Sequence, residues 1–155
     1  MDYVPLQVKT SYSILESLNR IKELVLRAKE LSYQSLAITD NNNMFGVMEF
    51  YQECNRNGIK PIIGIELNKD DIKILLYAKD EYGYKNLIKL STLISEDNLD
   101  IELLKQYKDN LILVMPYSFY NRDIYDIYDT RYIGYSSFKC QRWEYTLFQP
   151  LSQGF

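Results

Sequence analysis

Ser35-Leu36-Ala37-Ile38-Thr39-Asp40-Asn41-Asn42-Asn43 is the stretch from which the fold can be read. Leu36, Ala37 and Ile38 run unbroken into Thr39 and stop at a carboxylate, the pattern of a short buried strand. Three asparagines follow; Asn tolerates left-handed backbone and competes for local hydrogen bonds, so a turn is expected there. Phe45 to Arg56 then reads as a helix with Val47, Met48, Tyr51 and Cys54 inward and Gly58 just past its end. Lys60-Pro61 introduces a second strand, Ile62 to Leu67. Strand, helix and strand in this order make an α/β unit.

Upstream, Val4 to Val8 alternates in character and predicts a short first strand, followed by a loop from Thr10 to Ser17. A helix is expected over Leu18 to Leu31, with Ile21, Leu24, Val25, Ala28 and Leu31 on one face, charged residues on the other, and Ser17 as its cap. Downstream of an Asn68–Asp71 turn, Ile72 to Ala78 forms another strand. Tyr82 to Leu93 is helical, with Leu87, Leu90 and Leu93 on one side, and Asp100 to Tyr107 forms a shorter helix before the strand Leu111 to Met115. The alternation implies an α/β domain with largely parallel strands, whose ligands collect at the strands' carboxyl ends. Gln7, Lys9, Asp40, Asn41 and Glu66 all fall at or near such ends. Ile124 to Tyr135 is rich in Tyr and Asp, and Arg142 to Phe155 shows no clean period; the final fifteen residues cannot be placed.

A chain of 155 residues suits one domain or a piece of something larger. The formal net charge of −3 supplies no basic field of the kind that gathers duplex DNA by neutralising phosphates. Cys54 and Cys140 lie too far apart in sequence for a CxxC pair, which argues against structural zinc or a disulfide framework and for a reducing compartment. No secretory signal is visible in MDYVPLQVKT, and the longest apolar runs fall far short of a membrane span. The chain contains no histidine at all. Imidazole is the commonest protein metal ligand and the usual acid or base near neutral pH, so its absence bears directly on any metal chemistry.

The set Tyr3-Val4 with Tyr12-Ser13-Ile14-Leu15-Glu16, Ala37-Ile38-Thr39-Asp40, Asn43-Met44-Phe45-Gly46, Phe50-Tyr51 and Gly58-Ile59-Lys60-Pro61-Ile62-Ile63-Gly64-Ile65-Glu66 resembles a PHP (polymerase and histidinol phosphatase) domain. Leu76-Tyr77-Ala78-Lys79-Asp80 and Gly83-Tyr84-Lys85-Asn86-Leu87-Ile88-Lys89-Leu90-Ser91 are similar to the branch found in the alpha subunit of bacterial DNA polymerase III. The resemblance is continuous over residues 3–94 and looser to about 136. It implies an incomplete, PHP-type distorted (β/α)7 barrel over residues 1–136, with 137–155 an unassigned tail. It also implies a cup that in active members holds Zn, Mn or Fe ions. The family's first His-x-His motif corresponds to Gln7 and Lys9, and its Thr-Asp-His motif to Thr39-Asp40-Asn41. Glu16 and Glu66 match its carboxylates, and its late Asp-x-His motif has no counterpart.

These exchanges disfavour a metal. An amide oxygen suits Zn and other borderline ions poorly, and an ammonium presents only donors and repels a cation. Lys9 is expected instead to neutralise Glu16, Asp40 or Glu66, because an unpaired buried carboxylate is costly. No metal and no catalytic residue is therefore expected among the eroded positions Gln7, Lys9, Glu16, Asp40, Asn41 and Glu66. Asp40 and Glu66 can be read as surviving acids, or more plainly as carboxylates that cap turns. Cys54 reads as core. Lys105 and Lys108 near Tyr107 can be read as a nucleic-acid contact or as a solvated helix end. The tyrosines of 117–135 can stack on bases or pack on the barrel or a neighbouring domain.

Three functions are compatible with this reading. The first is a non-catalytic PHP module of a replicative polymerase, itself without cofactor. It would belong to a cytoplasmic parent that uses Mg2+, contacts DNA and partners other replisome subunits, with no membrane role. The second is a Zn- or Mn-dependent phosphoesterase or proofreading 3′–5′ exonuclease. The third is a stand-alone partner-binding protein.

Overall fold

Among the described residues the strands form one six-stranded sheet ordered as they occur in the chain, and the helices on either side of the Ser35–Ile38 strand cover one flank of it. The computed structural model describes residues 3–135 and 146–147. The strands are β1 Ser35–Ile38, β2 Lys60–Lys69, β3 Ile72–Ala78, β4 Leu111–Pro116, β5 Thr130–Tyr135 and β6 Thr146–Leu147. The helices are α1 Ile21–Glu30, α2 Val47–Asn57, α3 Glu81–Ser95, α4 Ile101–Gln106 and α5 Arg122–Tyr125.

The parallel pairing expected from strand–helix alternation is found at β1–β2 and β4–β5. The pairings β2–β3, β3–β4 and β5–β6 are antiparallel. The reason at β2–β3 is local. Lys69 pairs with Ile72 across only Asp70 and Asp71, and Asp70 takes φ 51°, so the Asn68–Asp71 turn closes a hairpin rather than a crossover. Between β3 and β4 lie two helices, yet Ala78 at the end of β3 pairs with Leu111 at the start of β4, so the chain re-enters the sheet at the end it left.

Alternation along each strand divides the apolar side chains between two faces. Leu36 and Ile38 pack under α1 and α2 with Ile21, Val25, Phe50 and Cys54. Ile65, Leu67, Ile74, Leu76, Leu113 and Met115 pack under α3 and α4 with Leu87, Leu90 and Leu104. Ala37, Leu75, Tyr77 and Val114 form a third cluster on the other face, joined by Leu6, Ile62 and Tyr132. Burial on both faces is what a sheet curling towards a barrel requires.

Several local expectations are corrected. Val4 to Val8 is not a strand. Its pairing with β1 slips, because Ala37 N–H donates to Pro5 O (3.2 Å) while Thr39 N–H donates to Val8 O (2.8 Å), setting three residues against two. Val8 N–H is met by the Thr39 hydroxyl at 2.9 Å rather than by a ladder carbonyl. The first helix starts at Ile21 with Arg20 as its N-cap, and Ser17 serves the loop instead, donating to Lys9 O at 2.9 Å. In α2 the buried stripe is Val47, Phe50 and Cys54, while Met48 and Tyr51 are exposed, and Leu31 lies exposed beyond α1. Gly58 caps α2 at φ 71°, as expected. The Tyr- and Asp-rich region is α5 and β5, with Tyr125 and Tyr128 buried in the core. The unassigned tail 137–155, with Cys140, lies outside the described residues except for β6.

A candidate site filled by its own side chains

The site lies where the parallel register of β1 and β2 outlasts β1 itself. Ser35↔Lys60 to Ile38↔Ile63 continues as a bridge between Asn41 and Glu66, with Glu66 N–H donating to Asp40 O at 3.1 Å and Asn42 N–H to Glu66 O at 2.8 Å. This sets Glu66, 1% exposed, level with the turn that follows β1. The segment 7–19 arches over the same place.

Five of the six candidate residues converge. Gln7 Nε2 donates to Glu66 Oε2 at 2.5 Å, and Lys9 Nζ pairs with Glu66 Oε1 at 3.1 Å and with Glu16 Oε2. Asn41 Nδ2 donates to Glu16 Oε1 at 2.6 Å. Asp40 does not share this network. Buried to 1% exposure, it accepts from Thr10 N (2.6 Å), Thr10 Oγ1 (2.7 Å) and Ser13 Oγ (2.7 Å). Ser13 Oγ in turn accepts from Asn41 N at 3.0 Å. Asp40 thus ties the loop to the end of β1.

Burial alone lowers the Lys9 pKa. The hydrogen bond and charge of Glu16, with those of Glu66, outweigh that and leave it above the ordinary value. Glu16 is held below the ordinary carboxylate range, chiefly by its hydrogen bond from Lys9 and against a smaller effect of burial. Both shifts favour the charged forms, so the pair is an ion pair across the neutral range.

Thr10, Ser13, Lys73 and Phe119 belong to this neighbourhood and were missed from sequence. Lys73 Nζ stands 4.0 Å from Glu66 Oε1 and 5.1 Å from the centre of the Phe119 ring. A readable signal existed: with Asn68 opposite Lys73 and Glu66 opposite Leu75, Lys73 is the diagonal cross-strand neighbour of Glu66. Recognising the hairpin would have found it. Elsewhere Lys105 pairs with Glu102 at 2.7 Å, the solvated-helix reading of that end.

The donor set does not fit a metal ion. Glu66, the most buried carboxylate of the network, has one oxygen taken by an amide N–H and the other by an ammonium. Glu16 is likewise engaged on both oxygens. Asn41 Oδ1 is buried without a hydrogen-bond partner, but one neutral oxygen near a resident ammonium is a poor seat for a cation. Among the described residues, no group of three His, Cys, Asp or Glu side chains is placed to hold a metal.

A family model described as PHP domain matches residues 5–128. The chain is 40% identical over 128 residues to the DNA polymerase III subunit alpha of Halalkalibacterium halodurans, covering 76% of this chain and 12% of that protein. It is 38% identical over 126 residues to that subunit in Bacillus subtilis, covering 75% of this chain and 11% of that one. It therefore spans about 12% of the length of the curated relatives it matches. An amidohydrolase structure from Chromobacterium violaceum superposes with a TM-score of 0.52 at 12% identity, covering 74% of this chain and 66% of the other. That likeness concerns the fold, and the open sheet described above is consistent with an incomplete distorted barrel.

Proposed function

This chain belongs to the PHP domain family, and from that premise we propose that it serves as the amino-terminal PHP module of a replicative polymerase alpha subunit, lending structure and contact surface without hydrolysing phosphoesters. The observation that carries this reading is the Lys9 ammonium seated between Glu16 and Glu66. Hydrolysis by a metal cup needs open coordination positions and oxygens free to hold ions. Here the carboxylate oxygens face donors, and Lys9 puts a positive charge where a cation would have to enter. In this reading the module carries no cofactor, residues 1–136 are its extent, and Mg2+ belongs to the parent's polymerase centre elsewhere. The parent contacts DNA, works in the cytoplasm and assembles with the rest of the alpha subunit and other replisome subunits. No helix among the described residues is long and apolar enough to cross a membrane.

The alternative, a Zn- or Mn-dependent phosphoesterase or 3′–5′ exonuclease, has one observation in its favour, the unpartnered Asn41 Oδ1 beside Glu16. Both are tested by incubating protein purified without chelator with Mn2+ or Zn2+ and a single-stranded DNA 3′ end or a simple phosphate ester. The proposed reading expects no release above that of the Glu66→Gln variant. Metal-dependent release that this variant loses favours the enzyme.

A further inference from the structure

The loop between Thr10 and Arg20 has no regular helix or strand, and its apolar side chains are turned outward: Ile14, Leu15 and Leu18 are 81%, 102% and 95% exposed. Leu15 also adopts left-handed backbone at φ 66°, which costs a β-carbon residue energy and is not offset by burial. Apart from the Tyr12 ring beside Gly46, apolar packing therefore contributes little to holding this loop. What holds it is polar: Asp40 grips its start through Thr10 and Ser13, Tyr12 Oη donates to Glu49 Oε2 at 3.0 Å, and a second set of contacts centres on Lys9. Lys9 and Gln7 reach Glu66 on β2, Glu16 reaches both Lys9 and Asn41, and the Lys9 carbonyl accepts from Ser17 Oγ (2.9 Å) and Asn19 Nδ2 (3.2 Å). The Lys9 ammonium is the group that joins Glu16 to Glu66, and so ties the loop's own carboxylate to the sheet.

Resting on the reading that the cup takes no metal, we infer that the Lys9 ammonium is a permanent internal cation that clamps residues 7–19 onto the ends of β1 and β2, making the shape of this loop independent of any bound ion. Lys9 is a positioning residue in this scheme: its Nζ draws Glu16, from the far side of the loop, and Glu66, from the sheet, to one point. Lys73 is no substitute, since it stands 4.0 Å from Glu66 and has no contact with Glu16 within ion-pair distance.

Hydrogen exchange on the full chain tests this, using Lys9→Met and the double variant Lys9→Met/Glu66→Gln. The double variant removes the carboxylate that the first would leave uncompensated, so a folded protein is available even if Lys9→Met alone is too unstable to study. Expected is exchange faster by roughly ten- to a hundredfold at the hydrogen-bonded amides of Ser11, Ser13 and Glu16, with the amides of α3 unchanged in the double variant. Loop amides as protected in the folded double variant as in the unmodified chain would overturn the clamp, while leaving the non-hydrolytic reading standing. Metal-dependent hydrolysis by the unmodified chain would overturn that reading, while the exchange result still stands on its own.

Discussion

The β2–β3–β4 region under α3 and the arch of residues 7–19 are held by opposite means. In the first, Leu67, Leu76, Leu87, Leu90 and Leu113 are all fully buried against one another, and the stabilisation is removal of apolar surface from water. In the second, the leucines face solvent and, apart from Val8 and the Tyr12 ring at Gly46, the inward contacts are ionic or hydrogen-bonded. Apolar burial is indifferent to pH and strengthened by excluded salts, whereas ion pairs depend on protonation and are screened. One small chain thus contains a region that tolerates solution conditions and a region that reports them.

The largest expected effect lies in the apolar region. Leu87→Ala leaves a cavity between α3 and the sheet and should cost about 2–5 kcal/mol, read by denaturant unfolding, with little change between pH 5 and 9. Gly83→Ala should also be severe, since a β-carbon there would come 2.2 Å from Asn110 O, a backbone atom that cannot swing away. Next is Lys9→Met, which strands Glu66 at 1% exposure. Removing one partner of a buried pair costs about 3–5 kcal/mol, and partial solvent access to Lys9, 24% exposed, brings the expectation to about 2 kcal/mol. A Lys9→Met protein as stable as the parent would erase the contrast between the regions.

The pH response is smaller. Glu16 has a folded pKa below its ordinary 4.5, so its contribution is present above 4.5 and is lost as pH falls through the lower folded value. Lys9 has a folded pKa above 10.5, so its contribution is complete below 10.5 and is lost as pH rises through the higher folded value. Clamp stability should therefore be flat between these limits and fall outside them. Because Glu16 is 37% exposed, solvent screening holds its share to about 1 kcal/mol or less. Loop protection measured across acid pH checks the sign. The smallest effect is at Tyr128, whose buried hydroxyl has no hydrogen-bond partner and whose pKa burial pushes up. Tyr128→Phe should be neutral or slightly stabilising, within about 1 kcal/mol, by thermal unfolding.

Legibility from sequence followed the same divide. Helices and strands with a strong apolar period were readable: β3 is Ile72–Ala78, as expected, and α3 differs only by a residue or two at its ends. Strand direction was not, because two aspartates in a tight turn look much like the start of a crossover until the register is known. Val4–Val8 alternates like a strand, yet Pro5 donates no hydrogen bond and the pairing slips past it. In the site, Gln7, Lys9, Glu16, Asn41 and Glu66 were picked out by resemblance, which orders residues along the chain. Thr10 and Ser13 were overlooked because a hydroxyl holding a carboxylate leaves no periodic trace. Asp40's separation from the network depends on which way a side chain turns after a strand ends, which residue types alone do not specify.

The most direct test is thermal unfolding of chelator-treated protein titrated with Mn2+ and with Zn2+, alongside Glu66→Gln. A ligand that binds only the folded state stabilises it by RT ln(1 + L/Kd), with L the free ligand concentration, so the midpoint climbs with the logarithm of free ligand once that exceeds Kd. With an ammonium already seated between Glu16 and Glu66, the midpoint should stay level through the titration in both proteins. A rise that continues with the logarithm of metal concentration in the unmodified chain and is absent from Glu66→Gln would contradict the account.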